Sequence, residues 1–96
     1  MLQQVTIKTQ DKTTLKPLLV SAITNEKKMV RFGLERTQQR LREFEQEFGM
    51  TSAEFLQRLL AAEIEETIAF TDWRMEIGML SLLESQYQAL QDVQLD

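Results

Sequence analysis

The stretch from Lys16 to Phe48 constrains the fold of this chain most. With heptad position a placed at Val20, the a positions are Val20, Lys27, Leu34, Leu41 and Phe48, and the d positions are Ile23, Val30, Thr37 and Phe44. Seven of these nine are apolar. Their three- and four-residue spacing is that of a helix burying a narrow seam against another helix. Good helix formers such as Glu26, Arg31, Glu35, Gln38, Arg42 and Glu43 stand between them. Pro17 suits the first turn of a helix, where its missing N–H costs nothing. Gly49 suits the position just past the last turn, where a left-handed residue is wanted. The spacing predicts one helix over 17–48, about 50 Å long at 1.5 Å per residue. Gly33, worth about 1 kcal/mol less than Ala inside a helix, marks either a close helix crossing or a break. In a chain of 96 residues such a helix needs a partner helix over its seam, from this chain or from a second copy.

The turn after it carries the most specific local signal. Thr51 and Glu54 have the spacing of a capping box, and Met50 and Phe55 that of the hydrophobic staple around it. A second helix is expected from Ser52 to residue 70, with Phe55, Leu56, Leu59, Leu60, Ile64 and Ile68 on one side. Thr71 or Asp72 then caps a third helix over 72–92, or the second runs through. Before the long helix, residues 1–15 form an arm. Val5, Ile7 and Thr9 alternate with Thr6 and Lys8, so this arm is a short strand paired with a copy of itself or a disordered tail. The expected fold is all-α: a long helix, a capped tight turn and returning helices in a hairpin or coiled coil. A dimer is expected ahead of other oligomers.

Several function classes find no support. The chain has no cysteine and no histidine, so thiolate chemistry and the commonest general base and metal ligand are absent together. Glu43 and Glu47 share a helix face without a third group, and Glu63 with Glu66 lacks the histidine that bundle metal sites add. No glycine-rich phosphate loop and no nucleophile–base pair occur. No enzyme activity, cofactor or metal is expected. The N-terminus does not read as a signal peptide and no apolar run is long enough for a membrane span, so a cytoplasmic protein without membrane contact is expected.

Charge and apolar surplus point to interactions instead. Residues 1–42 carry nine basic side chains against Asp11, Glu26 and Glu35, a net of +6. Residues 43–96 carry Arg58 and Arg74 against twelve acids, a net of −10. Such a division suggests two partners, or two arms of one hairpin that attract each other. Lys27, Lys28 and Arg31 share a face of the long helix and are the candidate nucleic-acid contacts. The alternative is a solvated helix surface. The last third holds more large apolar residues than a two-layer hairpin buries. Phe70, Trp73, Ile77, Leu80, Leu83 and Tyr87 are the candidate partner-binding residues, and they serve equally as the core of a homo-oligomer.

The run Leu41-Arg42-Glu43-Phe44-Glu45-Gln46-Glu47-Phe48-Gly49-Met50-Thr51-Ser52-Ala53-Glu54-Phe55, then Glu65-Glu66 and Phe70-Thr71-Asp72-Trp73, resembles small prokaryotic antitoxin-like proteins of two-gene toxin–antitoxin modules. The resemblance spans about residues 17–90. It implies a protein that binds and neutralises a toxin encoded beside it. It further implies dimerisation, promoter contact through the basic N-terminal part and cover of a basic toxin by the C-terminal part. A ribbon-helix-helix form of DNA binding would require Val5–Thr9 to be a strand and Gly33 to break the long helix. The other reading is a structural coiled-coil or adaptor module that forms a homo-oligomer without binding DNA.

Overall fold

Asp11 decides where the first helix begins. In the computed structural model, which describes residues 4–95, its carboxylate accepts hydrogen bonds from the Thr14 N–H at 3.0 Å and the Thr14 hydroxyl at 2.8 Å. This cap starts α1 at Lys12, and α1 runs without interruption to Phe48. The helix thus begins five residues before the expected start at residue 17, and Pro17 lies inside it. Residues 4–10 form no strand, and of the expected arm 1–15, residues 1–3 lie outside the described residues. α1 ends as its glycine dictates. Gly49 takes a left-handed conformation (φ 66°), and its N–H reaches the Glu45 carbonyl at 2.9 Å.

Thr51 caps α2 (Ser52–Leu60), its hydroxyl accepting from the Glu54 N–H at 3.1 Å. The Glu54 carboxylate does not return to the Thr51 N–H as a capping box requires. Glu54 turns to Arg58 at 2.8 Å, while the Glu45 carboxylate in the last turn of α1 takes the Ser52 N–H at 2.7 Å. One carboxylate thus ties the two sides of the turn together.

α2 stops at Leu60 and not at residue 70. Ala62 adopts a left-handed conformation with φ 57°. Its N–H bonds the Leu59 carbonyl at 3.1 Å, and the Glu63 N–H bonds the Arg58 carbonyl at 3.0 Å. This is the Schellman stop, built on an alanine where glycine is usual. The left-handed region costs a Cβ-bearing residue roughly 1–2 kcal/mol. Ala62→Gly relieves that strain and gives back part of it as unfolded-state entropy. A net gain of about 0.5–1 kcal/mol is expected, checked by the denaturation midpoint.

α3 (Ile68–Gln91) starts at the Thr67 cap, not at Thr71 or Asp72. The Thr67 hydroxyl accepts from the Phe70 N–H at 3.1 Å. Beside it the Glu66 carboxylate accepts from the Thr71 hydroxyl at 2.9 Å and from Arg74 at 2.7 Å. These partners, the hydroxyl first, hold the Glu66 carboxyl below its ordinary value, and Thr14 does the same for Asp11. A carboxyl lowered in the folded state adds stability that is present above its unfolded pKa and is lost as pH falls through the folded one. Acidification from about pH 5 to about pH 3, across the ordinary carboxylate range, should therefore lower the melting temperature. The fall should be smaller in Glu66→Gln.

α3 returns antiparallel along α1. Phe44 stacks on Trp73 with ring centroids 5.6 Å apart, Arg40 meets Glu76 at 3.7 Å, and Gly33 faces Leu83. A Cβ on Gly33 would lie 3.3 Å from a Leu83 methyl. Gly33 is therefore a close helix crossing and not a break. Every expected seam residue of α1 from Ile23 to Phe48 is buried or half-buried, Lys27 and Thr37 included.

The core sits at the closed end of this all-helical hairpin. Trp73 and Phe55 are fully buried and stack at 4.0 Å with ring planes 2° apart. Phe44 and Phe48 stack on Trp73 as well. The indole N–H donates to Ser52 Oγ at 2.9 Å, so one side chain joins all three helices. Leu41 completes the buried cluster, and Phe70, Ile77 and Leu80 pack against it.

Candidate protein-docking surfaces

The six candidate partner-binding residues line the seam between α1 and α3. Trp73 is fully buried, and Phe70, Ile77, Leu80, Leu83 and Tyr87 are half-buried. Trp73 reaches no partner unless the hairpin opens. The apolar surface that does face outward is a different set, offset by about 150° around the same helices.

On α3 this row is Ile68, Met75, Met79 and Leu82, all exposed; on α1 it is Leu18, Met29 and Phe32. Met75 and Met29 are 66% and 65% exposed. At about 100° per residue both rows lie toward the side of their helix away from the seam, Phe32 standing two residues from both Val30 and Leu34. Each helix thus carries an exposed apolar stripe of the kind that marks interaction surfaces. Periodicity held its signal: residues 68, 75, 79 and 82 repeat the three- and four-residue spacing of 73, 77, 80 and 83. Two stripes on one helix tell which faces are apolar but not which one its own chain covers.

The tip of the closed end forms a second surface. Leu60 is 77% exposed and Ile68 is 85% exposed. Between them stand the exposed Glu63, Glu65 and Glu66. Methyl-rich side chains and carboxylates alternate here on a short, tightly bonded connector.

At the other end, α1 outruns its cover. The register set by Phe44 with Trp73 and by Gly33 with Leu83 brings the end of α3 level with about residue 25 of α1. Lys12–Thr24 therefore overhangs. Val20, expected in the seam, is exposed for this reason. The overhang carries Lys12 and Lys16, with Lys8 just before it.

The candidate nucleic-acid residues lie further along α1. Lys28 and Arg31 are exposed, Lys27 is half-buried beside the seam, and the Lys28 ammonium lies 5.8 Å from the Phe32 ring centre. With α1 unbroken at Gly33 and no strand among the described residues, a ribbon-helix-helix arrangement is not formed. Among the described residues no cluster of three acidic side chains has the arrangement of a metal site, and no helix is long and apolar enough to cross a membrane. Comparison with protein-family models, with curated proteins and with solved structures finds no match.

Proposed function

We propose that this chain is an antitoxin-like interaction protein that binds and neutralises a basic partner protein in the cytoplasm, with no catalysis of its own. The observation that supports this best is the tip of the closed end. Leu60 and Ile68 stand exposed around three carboxylates, of which, among the described residues, only Glu66 has a cationic partner, Arg74. Such a surface draws a basic protein by charge and holds it by apolar burial. The buried Trp73 hub fixes the geometry of that tip, which is a positioning role. Contact with the protein's own upstream DNA, in this reading, runs through Lys27, Lys28 and Arg31.

Co-expression with the product of the adjacent gene tests the main reading. Co-purification and relief of growth arrest are expected, and both should be lost in the double variant Leu60→Ser, Ile68→Ser. If the neighbouring product neither arrests growth nor co-purifies, the antitoxin reading is dropped. A gel shift on the upstream DNA tests the second contact. Changing Lys27, Lys28 and Arg31 to Glu should abolish it, and unchanged binding would remove those residues from the reading.

A structural adaptor that self-associates, as a dimer, is the second reading. Val20 supports it: it keeps the heptad register on an overhang that its own chain leaves uncovered.

A further inference from the structure

We propose that the outer face of α3 receives an amphipathic helix of the basic partner, laid along Ile68, Met75, Met79 and Leu82 and closest at Gly78. The inference rests on the partner reading above and adds the element that the partner supplies and the face that takes it.

The spacing selects a helix as the occupant. Ile68, Asp72, Met75, Met79, Leu82 and Gln86 are all exposed and follow one another at alternating four- and three-residue steps. That alternation is the register of a helix-packing seam. α3 thus carries two seams about 150° apart, and α1 fills only the one that holds Trp73 and Leu80. From Ile68 to Leu82 the open seam runs about 21 Å, or about four turns of a partner helix. Two of its members are methionines, whose unbranched side chains adapt to an incoming helix.

Gly78 is the second observation. It stands inside α3, where glycine is a poorer helix former than alanine. A Cβ on Gly33 would press on Leu83, so the fold accounts for that glycine, whereas a Cβ on Gly78 would meet no other part of the chain within 4 Å. Neither its helical backbone nor the packing of its own chain calls for glycine. Gly78 lies three residues after Met75 and four before Leu82, which makes it their neighbour on the helix surface. Bare backbone at the border of the stripe lets a second helix come closer than a side chain would allow.

Charge sets the sign of the partner. Residues 50–91 hold seven carboxylates against Arg58 and Arg74, a net of −5. Both arginines are already engaged, with Glu54 and Glu66. Among the described residues Glu63, Glu65 and Asp72 have no cationic partner, and Asp72 stands in the stripe itself, between Ile68 and Met75. A helix with one apolar face and lysine or arginine beside it answers both the stripe and the charge.

Two probes test this by calorimetric titration of the full chain. One is the product of the adjacent gene, and the other is a synthetic three-heptad peptide with leucine at a and d and lysine at e and g. Both should bind, and a peptide of the same composition in scrambled order should bind at least tenfold more weakly. The double variant Met79→Ser, Leu82→Ser and, separately, Gly78→Leu should weaken both probes tenfold or more while circular dichroism keeps the helical signal. These positions are exposed, so either variant serves if the other misfolds. Gly78→Ala should raise the melting temperature of the free chain by about 4 °C and still weaken both probes severalfold. A fall in melting temperature instead would mean that the fold itself requires this glycine, and overturns the inference. An adjacent-gene product that binds the variants as it binds the parent also overturns it, and leaves the partner reading to the tip alone. Peptide binding that the variants lose, with no binding of the adjacent-gene product, supports the face and removes the partner reading. If neither probe binds, both fall. A parent dimer that the double serine variant dissolves gives the face to a second copy and overturns the partner helix.

Discussion

Trp73→Ala is expected to bring this protein close to the edge of stability at ordinary temperature. Truncating a buried aromatic costs about 3–5 kcal/mol. A chain this small is expected near the lower end of the 5–15 kcal/mol range of domain stabilities. Few other residues share the task, since among the described residues four other apolar side chains are buried below a tenth of their surface. The indole also fills the space between rings from α1 and α2, and its N–H holds Ser52 at the start of α2. A fall in melting temperature of roughly 15 °C or more is expected by circular dichroism, at about 4–8 °C per kcal/mol for a domain of this size. Trp73→Phe keeps a stacking ring and gives up the hydrogen bond, so its cost should stay near about 1–2 kcal/mol. A Trp73→Ala variant that melts within a few degrees of the parent would remove Trp73 from the centre of this fold.

Phe55→Ala should cost nearly as much, about 3–4 kcal/mol, but with a different signature. Phe55 is the one fully buried side chain that α2 contributes. Without it α2 has the Thr51 cap, the Glu45 bond and half-buried leucines to hold it. Amide exchange should therefore rise across 52–60 more than across the paired parts of α1 and α3. Trp73, the only tryptophan, should shift its emission to the red as its closest ring leaves. Because the two rings stack on each other, the double variant should cost less than the sum of the single ones. Full additivity would mean that the 4.0 Å stack contributes no energy of its own.

How far the fold was legible follows from these residues. The seam of α1, its end at Gly49 and the start of α2 at Thr51 rest on spacing and on residue types with one strong conformational preference. The structure uses each as the physics of that residue suggests. The end of α2 was hidden because the left-handed stop at Ala62 lacks the glycine that usually marks it. The Thr67 cap then fell inside what read as continuous helix. The start of α1 was masked by Pro17, which suits a first turn but lies inside the helix once Asp11 caps it. On α3 the type of residue was legible and its direction was not. Trp73 has the chemistry of an interface anchor and of a core residue alike, and only the arrival of Phe55 on one side and Phe44 on the other decides between them.

The placement of the aromatic cluster also sets an order of events. Bringing Phe44 to Trp73 closes a loop of about thirty residues, a modest entropic step, and α2 lies inside that loop. Once it is closed, each further turn of α1 and α3 adds to a pair already held together, and the chain zips outward toward Tyr87 and Leu90. Replacements at Phe44, Phe55 or Trp73 should therefore slow refolding. Replacements near Ile23, Val30 or Tyr87 should leave refolding almost unchanged and speed unfolding. The hairpin would open from its free ends, and its lifetime, more than its rate of formation, would be set by the residues farthest from its core.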